Sequence, residues 1–268
     1  MRKKTASSKR ASQDGGSSKN RIKIRGGKEV ATDLNRSHDK IAVENPIKRQ
    51  IKLNQFPWTE KQKDFFKIAL NPSTKIIFVE GPAGTSKTLL SVYCSLQLLN
   101  MKVSSDIMYL RSAVESSDKS LGFLPGSAEE KLRFYNLPFL DKLDELLLET
   151  KAEKLEEEGR VSMFPVNFAR GMNWRDKCVI LDEAQNSTTK EITTVLTRLG
   201  ENSRCFILAD PLQTDLRNGN GGGFEKMFQL FSDEESVSHG IYNFKFSEED
   251  IMRSELVKFL VKKLKKLS

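Results

Sequence analysis

At 268 residues, 38% hydrophobic and 30% charged, the chain has apolar material for one large α/β domain and too little for a second full one. No stretch approaches the roughly 20 apolar residues that cross a bilayer, and the opening MRKKTASSKR leads into polar sequence, so a cytoplasmic protein without a membrane partner is expected. The net charge of +8 is unevenly placed: residues 1–54 hold 15 Lys and Arg against 5 Asp and Glu, and the remainder holds 29 against 31.

Residues 1–54 therefore read as a basic, largely disordered tail, since the Ser-, Gly-, Lys- and Arg-rich start cannot bury enough surface to offset the entropy of ordering. Residues 55–268 read as the folded domain. EKQKDFFKIALN is a short amphipathic helix with Phe65, Phe66, Ala69 and Leu70 on its apolar face, ended by Asn71-Pro72. KIIFVE (75–80) suits a buried parallel strand and runs through glycine into the helical TLLSVYCSLQLLN. Further strands are predicted at 106–110, 178–182, 204–210 and 241–246. One long helical stretch is predicted from SAEEKLRFYNL through ETKAEKLEEE, whose charges form a solvated face. Strands alternating with helices imply a wound, mostly parallel sheet flanked by helices. Cys94, Cys178 and Cys205, scattered and set among apolar residues, are expected in the core and not in disulfides or a zinc cluster.

The chemistry concentrates after the first strand. Gly81-Pro82-Ala83-Gly84-Thr85-Ser86-Lys87-Thr88 has the P-loop spacing G-x-x-x-x-G-K-[ST], with Ser86 where the last glycine is usual. In such a loop the backbone amides wrap phosphates, the lysine (Lys87) meets the β and γ oxygens, and the next hydroxyl (Thr88) binds Mg2+ at a helix N-terminus. The serine fits without strain if its φ is negative. CVILDEAQN ends a buried strand in Asp182-Glu183. Such a pair alone often only caps a helix, but with a P-loop it offers Asp182 to hold the metal through water and Glu183 to polarise the attacking water. RCFILADPLQTDL ends a further strand in Asp210, with Gln213 poised to sense a γ-phosphate.

GPAGTSKT, LRSAVESSDKSLGFLPGSAEEK, LDEAQN, LTRLGENS, ADPLQTDL and EEDIMRS stand in the order found in PhoH-like proteins, and the resemblance covers about residues 55–264. This resemblance implies a single RecA-like P-loop NTPase domain related to superfamily-one helicases, using ATP and Mg2+. It further implies a homo-oligomeric ring such as a hexamer, a link to RNA or single-stranded DNA, and, for a phage-encoded member, a place in the host cytoplasm. By the same resemblance Gln62 in TEKQK would read adenine, Arg111 would follow the second strand, and Arg253 or Arg198 would stabilise charge in phosphoryl transfer. An arginine supplied by a neighbouring subunit would let mixed Arg253→Ala and Lys87→Ala chains regain activity. Ser86 and Ala209, which replaces the glycine usual before Asp210, depart from the pattern.

A small-molecule kinase shares the loop but needs an acceptor site and a lid, whereas DEAQ and ADPLQ read as coupling elements. The alternative is a slow or inactive ATP-dependent switch that binds nucleic acid without unwinding, with the basic tail on phosphates and Phe123 a stacking candidate. No nuclease acids stand apart from the nucleotide site, so no ribonuclease activity is expected of the chain itself.

Overall fold

Apolar runs with β-branched and aromatic side chains pair into a single six-stranded sheet: β1 (Ile76–Glu80), β2 (Asp106–Arg111), β3 (Val161–Pro165), β4 (Lys177–Asp182), β5 (Arg204–Ala209) and β6 (Ile241–Lys245). A computed structural model describes residues 50–111, 128–169, 171, 173–214 and 222–264. Residues 1–49 of the basic tail, and Phe123 with its LGFLPG loop, lie outside the described residues.

All five pairings are parallel and the order is β3-β2-β4-β5-β1-β6, the wound α/β architecture expected from the sequence. Because successive strand residues face opposite sides, each strand feeds two cores. Ile77, Val79, Tyr109 and Ile180 meet helices α1 (Glu60–Ala69), α2 (Lys87–Asn100) and α3 (Ala128–Leu146) on one face. Phe78, Met108, Val179 and Ile207 meet α5 (Thr189–Leu196) and α6 (Gly223–Leu230) on the other. Short helices α4 (Ala152–Glu157) and α7 (Glu234–Ser238) fill connections, and α8 (Glu255–Leu264) ends the described chain. All three cysteines are buried and free, and burial pushes the Cys178 thiol up to about 12.

Three expectations change. The predicted long helix breaks after Leu146: Leu147 bridges Leu53, and the Asn54 amide donates to the Leu146 carbonyl at 2.8 Å, using a group the helix end leaves open. That same contact means residues 50–54 are packed sequence and not tail, since Ile51 and Leu53 are buried and Ile51 exchanges two 2.8 Å bonds with the Asn100 side chain. Strand β3 was not anticipated: VSMFP is short, buries only Val161, and ends in a proline that an edge strand tolerates.

Among the described residues, no helix is long and apolar enough to cross a membrane.

Candidate functional site

The site lies at the C-terminal edge of the sheet, where β1, β5, β4 and β2 end in succession. β5 separates β1 from β4, so Asp210 stands between the loop after β1 and the acidic pair after β4. The pair is not on a strand adjacent to β1; it reaches the loop through α2.

The loop is held from both sides. The Gly81 amide donates to Ala209 O at 3.2 Å, and a Cβ at Gly81 would lie 2.8 Å from the Phe246 Cβ, so only glycine fits there. Thr85, fully buried, donates its hydroxyl to Pro82 O at 2.9 Å. Ala83 and Gly84 line the cleft, and Gly84 adopts φ +86°. Ser86 adopts φ +64°, not the negative value that would suit a side chain, so the serine stands in a glycine's conformation at a cost of order 1 kcal/mol. Ala209, by contrast, is an ordinary extended strand residue and brings no strain.

Lys87 and Thr88 open α2. The Lys87 ammonium donates to the carbonyls of Gly81 (2.5 Å) and Pro82 (3.1 Å). Burial lowers its pKa, while Asp210, Asp182 and Glu183 act in the opposite sense. The Thr88 hydroxyl donates to Asp182 Oδ2 at 3.1 Å across 94 positions of sequence.

In an extended strand Asp182 and Glu183 would face opposite sides of the sheet. Glu183 breaks the alternation with φ +55°, which brings both carboxylates to one cleft. Asp182 is 7% exposed, and each oxygen is occupied: Oδ1 accepts the Glu183 amide at 2.9 Å, and Oδ2 accepts Thr88 and the Tyr109 hydroxyl, the latter at 2.9 Å. Glu183 Oε2 accepts from Gln185 Nε2 at 2.6 Å, and its Oε1 lies 3.7 Å from Arg111.

Gln185 was not singled out from sequence, yet it ties the site together. Buried at 3% exposure, its amide also reaches Gln213 O (3.4 Å), and its oxygen accepts the Asp210 amide (3.1 Å). The Asp210 side chain accepts the Leu212 amide at 3.1 Å, and Gln213 sits exposed on the cleft rim. Tyr109 was missed as well; a tyrosine in a fully buried strand requires a hydroxyl partner, and that signal was present in DIMYL. From α3, Lys142 and Glu145 line the opposite wall.

The arginines separate. Arg253 lines the cleft: its stem packs over Gly84, 3.2 Å from where a Cβ would be, and the neighbouring Met252 amide donates to Gly84 O at 2.9 Å. Arg198 sits at the end of α5, outside the cleft lining, with its Nε buried. Gln62 is buried in the capping box of α1, its Oε1 accepting the Thr59 amide at 3.0 Å, and it does not line the cleft.

The cleft encloses about 450 Å³. Among the described residues no group of three or more His, Cys, Asp or Glu is assembled to hold a metal. The hydroxyl of Thr88 and the carboxylate of Asp182 are hard oxygen donors side by side, which fits a cation such as Mg2+ that takes one or two protein oxygens and completes its shell with phosphate and water.

A family profile described as PhoH-like protein matches residues 56–265. The chain is 35% identical over 186 residues to a PhoH-like protein of Synechocystis, covering 69% of this chain and 55% of that one. It is 35% identical over 190 residues to a PhoH-like protein of Bacillus subtilis (71% and 58%), and 36% identical over 186 residues to Protein PhoH of Escherichia coli K12 (69% and 51%). The chain thus spans about half the length of the curated relatives it matches.

Proposed function

This chain belongs to the PhoH-like protein family, which has the P-loop NTPase fold, and from that premise we propose that it binds ATP with Mg2+ and hydrolyses it. The observation that carries the reading is the 3.1 Å contact of Thr88 with Asp182. It joins the hydroxyl after the loop lysine to the carboxylate ending β4, the two protein oxygens a phosphate-bound Mg2+ requires.

In this reading the loop amides, the first turn of α2 and Lys87 hold the β and γ phosphates. Thr88 and Asp182 would hold Mg2+, which supplies charge neutralisation between those phosphates. Glu183 takes the proton of the attacking water, and the Gln185 amide fixes that carboxylate while joining it to the backbone of Asp210 and Gln213. Arg253 meets charge developing on the γ-phosphate, from within the same chain.

Coupling to RNA or single-stranded DNA, and assembly into a ring, extend the proposal. Self-association has a candidate surface in α8, where Leu256 (65% exposed) and Phe259 (55%) face outward three and six residues beyond Arg253. One observation favours the alternative of a slow nucleotide switch: the positive φ of Ser86, which puts a side chain at the loop position nearest the lysine.

Titration of a fluorescent ATP analogue separates binding from all that follows. Lys87→Ala should weaken affinity by on the order of 100-fold, given the strength of charged hydrogen bonds to phosphate. Equal affinity in wild type and variant would contradict the assignment of the loop.

A further inference from the structure

We propose that Tyr109 is a positioning residue for Asp182 and sets the affinity of the site for Mg2+; the inference rests on the metal–nucleotide reading above. The parallel register pairs Tyr109 with Ile180 and Arg111 with Asp182, so the Tyr109 side chain shares a sheet face with Asp182 and leans towards it. Its hydroxyl donates to Asp182 Oδ2 at 2.9 Å, and the residue is wholly buried, so water cannot replace that partner. The ring is fixed in turn by Phe139 of α3, stacked at 4.4 Å between centroids with the planes 13° apart.

The consequence falls on the oxygen that matters. Oδ2 is the atom that also accepts the Thr88 hydroxyl, and a hydroxyl that donates to Asp182 keeps its lone pairs free for a cation. With the Glu183 amide on Oδ1 and two hydroxyls on Oδ2, the carboxylate plane is pinned before any ligand arrives. Removing Tyr109's donor leaves Oδ2 held by Thr88 alone, so the orientation of both metal-facing groups loosens together. Partners of this kind behind metal ligands are worth about 10–100-fold in metal affinity.

Phe139, Lys142 and Glu145 are spaced three apart on α3, so the helix that braces Tyr109 through Phe139 also lines the cleft through Lys142 and Glu145. Tyrosine is thus more than filler for the core at this position: phenylalanine would pack equally well and would not reach the carboxylate.

The test uses the full chain and a fluorescent ATP analogue, titrated with Mg2+ and separately in EDTA. Tyr109→Phe keeps the ring and its stack. It should bind the analogue in EDTA within twofold of wild type, while the Mg2+ concentration for half-maximal effect rises about tenfold. Phe139→Leu keeps the hydroxyl but removes its brace, so it should raise the Mg2+ half-point by less than Tyr109→Phe does, even if it lowers the melting temperature further. A Tyr109→Phe half-point within twofold of wild type overturns the inference, as does an equal loss of affinity with and without Mg2+, or an equal shift in Phe139→Leu. A wild-type protein whose nucleotide binding ignores Mg2+ would instead sink the metal–nucleotide reading, and the inference with it.

Discussion

Asp182 and Arg253 border the same cleft, yet they are held in opposite ways. Asp182 is buried, with a donor on one oxygen and two on the other. Arg253 is exposed on a segment tied to the loop by the backbone bond from Met252 to Gly84, and among the described residues it has no acidic partner. Under the proposed ATPase reading, this difference would follow the reaction. A group that holds a cation in every state gains from being fixed in advance, whereas one that meets charge only as it develops needs reach more than rigidity. The fixed half of the site is built from strand ends whose positions the sheet dictates; the exposed half hangs on the link to α8.

Glu183→Gln probes the fixed half and should have the largest effect. Turnover should fall about 10³-fold with ATP affinity retained, because only the proton acceptor is lost. A variant with wild-type turnover would place the base elsewhere. Arg253→Ala probes the other half, and an exposed arginine should contribute on the order of 10–100-fold in kcat, with little change in ATP affinity, below the range of fully enclosed arginine fingers. Since Arg253 and Lys87 line one cleft in one chain, mixing Arg253→Ala with Lys87→Ala chains should restore nothing. Recovered activity would mean that the arginine comes from a neighbour, as the family resemblance first suggested. The smallest effect is expected at Ser86. Replacing it with glycine relieves a positive φ and should raise the melting temperature by about 2–4 °C, the equivalent of roughly 1 kcal/mol for a domain of this size. A lower melting temperature would show that serine is at ease in that conformation.

What could be read from sequence was what lies close together in it. The loop from Gly81 to Thr88 is contiguous and its flanking strand and helix have different periods, so its position needed no tertiary information. The LDEAQN and ADPLQ strand ends were legible for the same reason. Tyr109 and Gln185 were not: Tyr109's partner is 73 positions away, and although Gln185 also meets Glu183 two positions off, the contacts that make it tie the site together reach 25–28 positions and are fixed by strand register. The broken helix at Leu147 was hidden by strong local helical character, which lost to the bridge with Leu53. The φ of Ser86 could not be read at all: the residue type argued for one sign, and the loop's need to turn into α2 imposed the other. Gln62, which the motif sets against adenine, is held in the capping box of its own helix, its oxygen accepting the Thr59 amide, a contact the motif did not suggest.

The most direct test of the account is phosphate release from ATP and Mg2+ by the purified chain, with and without single-stranded RNA, beside a Lys87→Ala control. The account predicts Lys87-dependent release that RNA accelerates. Release that persists in Lys87→Ala, or a wild-type chain that releases none under any of these conditions, would contradict it.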